Sequence, residues 1–170
     1  LAGCDAGTVV PTPNRSLTIG ATLEPSSMDA WHDTSAAIPQ VLLYNVYETL
    51  VKVDSTGDLK PLLAQAWEVS SDHLTYTFHL REGVNWYTCD GDEYAPVTAN
   101  DFVAAAQWLL NKDNASTTSN IFYNVVKNAE AYFNGEITDF SQVGIKAVDD
   151  YTLEYTLEQP TPYFLKMTAY

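Results

Sequence analysis

The sequence predicts an α+β or mixed α/β fold. Several segments alternate apolar and polar residues, which is the pattern of strands with one buried face. Other segments repeat apolar residues at helical spacing, and the two kinds of segment are interspersed along the chain. With 170 residues, of which 46% are hydrophobic, the chain is long enough to form one core.

The first quarter of the chain predicts one strand and one helix. Residues 17–21 alternate apolar and small residues and form the predicted strand. Ser35 is the predicted cap of a helix that runs to about Leu50. Residues 54–58 are a predicted turn, and residues 61–67 a short helical or irregular piece that buries Trp67.

The clearest predicted strand spans residues 73–81. Its apolar positions are Leu74, Tyr76, Phe78 and Leu80. After a turn at residues 82–83 the alternation continues to Trp86, and residues 87–96 are a predicted polar loop. A capping box of Thr98 and Asp101 begins a predicted helix over residues 101–110. Its apolar side contains Phe102, Ala105, Ala106 and Leu109.

The last third predicts a long loop, a helix, two strands and a terminal helix. Residues 111–120 are the polar loop, and residues 122–133 contain the helix, which ends at Asn134-Gly135. Residues 143–147 and 152–158 are strands joined by a turn at Asp149-Asp150. Thr161 is the predicted cap of a last helix, with Pro162 in its first position. Because this helix presents an apolar face at the end of the chain, we expect the sequence to be a piece of a longer polypeptide.

The charge balance argues against nucleic-acid binding. The chain has 22 acidic and 8 basic side chains and a net charge of −14, whereas phosphate binding needs clustered Lys and Arg. No apolar run approaches the roughly 20 residues of a membrane-spanning helix. The sequence therefore predicts neither a nucleic-acid partner nor an integral membrane protein.

The first residues predict a lipid anchor. Leu1-Ala2-Gly3-Cys4 has the pattern of a bacterial lipobox, in which the cysteine thiol receives diacylglycerol after a signal peptide is removed. Residues 5–16 are small and polar and are a predicted flexible tether. We therefore divide the chain into residues 1–16, lipobox and tether, and residues 17–170, the folded region. Acylation of Cys4 would leave Cys89 a lone thiol, which we expect to be packed rather than reactive.

Catalytic and metal-binding patterns are not found in the sequence. His73 and His79 would lie on the same polar face of one strand, where solvent exposure is more common than zinc ligation. The acidic residues at 90–93 and 149–150 lack calcium-loop spacing and fit turns better. Phosphate-binding loops, nucleophile elbows and Cys–His pairs are also missing. We expect no enzymatic activity, no metal and no cofactor.

A series of motifs in fixed order carries a family resemblance. The most specific is residues 76–86 (YTFHLREGVNW), and others are residues 57–64 (GDLKPLLA) and 96–102 (PVTANDF). The remaining matches are residues 28–29, 47–51, 67–70, 90–91, 143–153 and 159–165. In this order and spacing, residues 17–170 resemble the amino-terminal part of bacterial ABC-transporter solute-binding proteins of the peptide and nickel class, especially oligopeptide-binding proteins. The segment 87–95 is longer than the corresponding turn of that family, and Ala30 stands where Pro often occurs.

The resemblance implies a periplasmic-binding-protein-like fold of type II, of which this chain supplies only a part. That part is the start of lobe one and the variable extra domain of the peptide class. The implied function is that of a monomeric, lipid-anchored receptor outside the cytoplasmic membrane, which captures short peptides and delivers them to an ABC permease. Two alternatives remain open at this point, a surface lipoprotein for signalling or adhesion and a nickel- or sugar-binding member of the same family.

Two polar segments are candidate ligand-binding sites. In relatives, the loop at residues 28–36 lines the cleft and offers backbone groups to an extended ligand, and Thr34, Ser35 and Ala36 lie near that place. In relatives, a residue of the variable domain also contacts the peptide. Thr118, in the polar loop 116–120, is our candidate for that position.

Overall fold

The computed structural model describes residues 45–169. The predicted strand 17–21, the cap Ser35 and most of the helix that follows it lie outside these residues. Of that helix, only residues 45 and 46 are described as helical, so it ends before the predicted Leu50. The described strands are β1 Val51–Val53, β2 Leu59–Pro61, β3 Ala64–Val69, β4 Thr75–Leu80, β5 Asn85–Tyr87, β6 Glu93–Pro96, β7 Ile145–Asp149 and β8 Thr152–Thr156. The helices are α1 Ala99–Leu110, α2 Ser119–Tyr123, α3 Ala129–Asn134 and α4 Phe164–Met167, with single 3-10 turns at Lys112–Asn114 and Phe140–Gln142.

A four-stranded antiparallel sheet in the order β3-β4-β8-β7 forms the centre of the described part. In β4, alternate residues are buried, and Phe78 is opposite Leu153 of β8, both at 0% exposure. Tyr76 is opposite Tyr155, and both rings are also buried. The alternation in the sequence predicted both strands, and the structure confirms them, because period-2 patterning places these side chains on one face.

Helix α1 packs against β7 and β8 and forms the second layer of the core. Its buried residues include Ala106 and Leu109 from the predicted apolar side, and Phe102 is half-buried. The helix begins as predicted, since a carboxylate oxygen of Asp101 accepts a hydrogen bond from the Thr98 backbone N–H at 2.7 Å. The mixed α/β character predicted from the sequence is confirmed.

The prediction that residues 122–133 contain a helix ending at Asn134-Gly135 is confirmed by α3, for which Gly135 is a left-handed C-cap with φ 80°. This helix is short, and a second short helix, α2, precedes it. Between them the backbone turns toward β8. Val126 forms a β-bridge with Leu157, and the Lys127 N–H donates to the Thr156 carbonyl at 3.0 Å. Asn128 then adopts a left-handed conformation, with φ 58°, that a continuous helix excludes. Pairing with the sheet therefore overrides the local helical pattern.

Two further segments differ from the prediction. Residues 64–67 belong to strand β3 rather than to a helical or irregular piece, because β3 pairs with β4, and a bulge between Ala64 and Ala66 disturbs the alternation. Only Leu62 and Leu63 are irregular, as predicted. Trp67 is half-buried rather than buried. The prediction of a polar loop over residues 87–96 is also wrong, because β5 and β6 form a hairpin there. In the turn between these strands, Gly91 has φ +87°. The predicted turn at residues 54–58 is confirmed, and the Asp54 carboxylate accepts hydrogen bonds from the backbone N–H groups of Thr56 and Asp58.

The two ends of the described part lie side by side. The Val51 N–H donates to the Thr168 carbonyl at 3.4 Å, and α4 lies against β1. The Phe164 ring packs on Tyr76 and Tyr155, with centroid distances of 4.7 and 5.4 Å. Helix α4 begins after Tyr163, not at Thr161. The predicted cap is wrong because the Thr161 hydroxyl is buried and donates to the Gln159 carbonyl.

Candidate functional site

The loop that contains Thr118 is held in place by its own side chains. The Asn111 side chain accepts a hydrogen bond from the Asp113 N–H at 3.0 Å, and the Asn114 side chain donates to the Trp108 carbonyl at 2.8 Å. Ala115 has φ 50°, a left-handed conformation that reverses the chain. The predicted polar loop 111–120 is therefore a 3-10 turn followed by the first residues of α2.

Thr118 lies in a group of hydroxyl side chains at the start of α2. Its hydroxyl oxygen is 3.2 Å from that of Ser116, and the side chain is half-buried. Ser119 is buried, and its hydroxyl donates to the Ser116 carbonyl at 3.2 Å. Although Thr118 is the N-cap residue, its side chain makes no capping bond. Because a hydroxyl both donates and accepts hydrogen bonds, Thr118 is chemically able to bind a peptide group of a ligand.

Aromatic contacts join this loop to the two short helices, α2 and α3. The Tyr123 and Phe133 rings, from α2 and α3, have centroids 4.8 Å apart. The Lys112 ammonium lies 5.6 Å from the centroid of the Phe133 ring, at a cation–π distance. These contacts fix the loop to both short helices, which is the rigidity that a ligand contact requires.

The other predicted site residues lie outside the described part of the chain. Thr34, Ser35 and Ala36, as candidate ligand contacts, and Cys4, as the candidate lipidation site, all precede residue 45. Their roles, and their position relative to Thr118, remain predictions.

An open cleft of about 500 Å³ lies where β4 ends beside the turn between β7 and β8. It is lined by Gln65, His79, Leu80, Glu82, Asp149, Asp150, Tyr151 and Thr152. The pKa of Asp149 is lowered, mainly because its carboxylate accepts a hydrogen bond from the Tyr151 N–H at 2.9 Å, with a smaller contribution from the charge of His79. Three carboxylates give the cleft a negative potential that disfavours anionic ligands.

The histidine prediction is partly confirmed. His79 is in β4 and half-exposed, and its Nε2 is 3.5 Å from the Glu68 carboxylate. His73 is exposed but lies before the strand, in a turn with φ 59°, so the two side chains do not share a strand face. Within residues 45–169, His, Cys, Asp and Glu side chains form no group of three that fits a metal ion. None of the helices described is both long enough and apolar enough to cross a bilayer.

Cys89 is exposed at the tip of the β5–β6 hairpin, so the expectation that it is packed is wrong. The turn around it, residues 88–92, is exposed throughout, so the thiol is not buried by the part of the chain that the structure describes. Sequence reasoning also missed the aromatic side chains of this hairpin. An Asp-Gly pair at 90–91 between aromatic residues is a hairpin signal that could have revealed them.

The fold defines the class of protein. Over 86% of the chain, the structure is similar to a periplasmic oligopeptide-binding protein, OppAIV, from Borrelia burgdorferi, with a TM-score of 0.76 and 35% identity. The match covers 28% of that protein. The chain therefore has part of the type II fold of periplasmic solute-binding proteins, as the sequence predicted.

Sequence comparison then gives the family. The model of "Bacterial extracellular solute-binding proteins, family 5 Middle" matches residues 58–170, and the chain belongs to this family of ABC-transporter solute-binding proteins. It is 44% identical over 149 residues to the oligopeptide-binding protein AmiA of Streptococcus pneumoniae, covering 88% of this chain and 22% of AmiA. It is 43% identical over 136 residues to the oligopeptide-binding protein SarA of Streptococcus gordonii, covering 80% of this chain and 20% of SarA. The chain thus spans about a fifth of the length of these two relatives.

Proposed function

We propose that the chain is part of the substrate-binding protein of an ABC importer, which captures short peptides outside the cytoplasmic membrane and delivers them to the permease. The observation that carries the proposal is the similarity of nearly the whole chain to two oligopeptide-binding proteins. The mechanism is closure of two lobes around the ligand, without covalent chemistry.

In this proposal the described residues form the variable extra domain of the first lobe. The adjacency of β1 and α4 supports this arrangement, because a domain whose two ends meet can be attached to the rest of a protein at one place. Residues 1–16 are the lipobox and tether, with Cys4 carrying the lipid that retains the protein at the membrane. Mass spectrometry of the amino-terminal peptide from the native organism tests the lipid directly.

The ligand is held chiefly through its backbone. Thr34, Ser35 and Ala36 offer backbone groups to an extended peptide, which gives affinity with little dependence on the ligand's side chains. Thr118 adds one hydrogen bond from the variable domain. Its half-buried position among Ser116 and Ser119 supports this role, because a hydroxyl that is already ordered loses little entropy on binding.

The experiment is a calorimetric titration of the full-length protein with a set of synthetic peptides of different lengths, followed by the same titration of two variants. Thr118→Val removes the hydroxyl and keeps the shape of the side chain. Thr138→Val makes the same change at an exposed position outside this loop and is the matched control. Loss of one neutral hydrogen bond raises the Kd of Thr118→Val by roughly two- to twelvefold, whereas the control stays close to the parent protein.

Failure of every peptide to bind the full-length protein, with binding of nickel or a sugar instead, would refute the peptide proposal. Equal effects of the two valine variants would refute the role of Thr118 alone. Residues 1–170 without the rest of the protein should bind the same peptides weakly or not at all, since they supply only one wall of the cleft.

A further inference from the structure

The hairpin of β5 and β6, residues 85–96, carries aromatic side chains that are open to solvent. Trp86, Tyr87 and Tyr94 retain 37%, 62% and 77% exposure. Tyr47, which is 49% exposed, packs edge-on against Trp86 with 6.4 Å between the ring centroids. Exposed aromatic groups of this density are characteristic of interaction surfaces.

The backbone of the hairpin keeps these side chains exposed. Within the described residues, β5 and β6 pair only with each other, so the outer edge of each strand is open. Trp86 pairs with Ala95 and Tyr87 with Glu93, which leaves Tyr94 as an extra, bulged residue. A bulge redirects a side chain and twists the strand. A two-stranded ribbon is marginally stable by itself, and a partner that covers it would stabilise it.

The tip of the hairpin is acidic, and no ion pair among the described residues includes it. Asp90, Asp92 and Glu93 are all exposed. The sequence contains no Lys or Arg between Arg81 and Lys112, so the chain itself does not neutralise the hairpin locally.

From this combination we infer that the hairpin docks a cationic segment of a partner protein. Arg and Lys side chains place their charge over the faces of Tyr and Trp rings and reach carboxylates at the same time. An uncharged apolar cover would bury the rings but would also remove water from Asp92 and Glu93 without supplying an opposite charge, which is unfavourable. Charge complementarity therefore favours a basic partner over a purely apolar one.

Cys89 provides a local probe of this surface. We would label its exposed thiol with an environment-sensitive dye in the full-length protein and confirm the labelled residue by peptide mapping. The labelled protein is titrated with an acetylated and amidated octapeptide of alternating lysine and alanine, and with the same peptide carrying glutamate for lysine. The lysine peptide should change the fluorescence saturably, with weaker binding at high salt, and the glutamate peptide should not.

Two double variants and one control assign the signal to the hairpin. Tyr87→Ser with Tyr94→Ser removes the two most exposed rings of the hairpin and should raise the Kd roughly five- to thirtyfold, as the loss of two cation–π contacts implies. Asp90→Asn with Asp92→Asn should also weaken binding. Glu130→Gln with Glu136→Gln, two exposed carboxylates outside the hairpin, removes the same charge and should leave binding unchanged.

Three results would overturn the inference. An unreactive Cys89 in the full-length protein would mean that another part of the same chain covers the hairpin. Equal loss of binding in the Glu130/Glu136 control would mean that the peptide responds only to net charge. No saturable response to the lysine peptide would mean that the hairpin does not bind cationic segments.

Discussion

Replacement of Gly144 by alanine tests the packing of the sheet where the backbone of residue 144 closely approaches the backbone of Thr156. An ideal Cβ at this position lies 2.2 Å from the Thr156 carbonyl oxygen and 2.9 Å from the Lys127 Cβ. Real Cβ contacts essentially never fall below 3.0 Å, so the Thr156 carbonyl must move by about 0.8 Å. The requirement is for space and not for an unusual backbone conformation, because Gly144 is not among the positive-φ residues.

The expected loss in the free energy of unfolding follows from the hydrogen bonds among Gly144, Lys127 and Thr156. The Gly144 N–H donates to the Lys127 carbonyl at 2.8 Å, and the Thr156 N–H donates to the Gly144 carbonyl at 2.8 Å. The Lys127 N–H donates to the Thr156 carbonyl at 3.0 Å. Each such bond contributes about 0.5–1.5 kcal/mol, and overpacking costs about 1–3 kcal/mol. Displacement of the Thr156 carbonyl breaks the bond that it accepts from the Lys127 N–H. The loss of this bond together with the overpacking should lower the free energy of unfolding of Gly144→Ala by about 1.5–4.5 kcal/mol.

The assay is urea unfolding followed by circular dichroism, with Gly135→Asn as the control. Gly135 has φ +80° and open space around its Cβ position, and asparagine tolerates this conformation. The control should therefore cost less than about 1 kcal/mol. A midpoint for Gly144→Ala no lower than that of Gly135→Asn would refute the reasoning from close approach.

Two further predictions concern the start of α1 and the core tyrosine of β8. Asp101→Ala removes the acceptor of the Thr98 N–H and should lower the free energy of unfolding by about 1 kcal/mol, and an unchanged melting temperature would contradict the capping role. Burial raises the pKa of Tyr155 above its usual value of 10.0. The unfolded chain therefore releases the phenol proton at lower pH than the folded protein does. Stability that is present below about pH 10 is lost as the pH rises further. Tyr155→Phe keeps the ring contacts with Phe78 and Phe164. It should reduce the fall in the urea midpoint between about pH 8 and about pH 11. An equal fall in the parent protein and the variant would contradict this prediction.

Strands β4 and β8 of the central sheet were predictable because their burial is one-sided. Phe78 and Leu153 lie on the buried face of two neighbouring strands, and a period of two in the sequence is the direct consequence. The start of α1 was predictable for a local reason, since Thr98 and Asp101 are three residues apart and interact through hydrogen bonds that depend only on the neighbouring chain.

The predictions that the structure shortens or corrects fall where distant contacts decide the conformation. Val126 leaves the helical path to bridge Leu157, a residue 31 positions away in the sequence. The strand β6 is exposed at all its residues except Ala95, so no alternation of buried and exposed positions distinguishes it from a loop. Thr118 was singled out only by resemblance to a family, because a hydroxyl in a polar loop has no distinctive pattern. The titrations proposed above test the role of Thr118, and the roles of Thr34, Ser35 and Ala36 stay predictions.

The contact between β1 and α4 suggests how the protein could keep the geometry of its ligand contacts when the two lobes close. The Phe164 ring packs against Tyr76 of β4 and Tyr155 of β8. Helix α4, which also contacts β1, is therefore fixed to the central sheet. A segment joined to its surroundings at one place can rotate with a lobe without shearing its own strands. Under the proposed function, Thr118 would then move with the sheet as one rigid unit, held by the Lys112–Phe133 contact and the hydrogen bonds of its loop. The peptide contact would thus be preorganised, and the conformational change would lie in the connections to the rest of the protein and not in the loop itself.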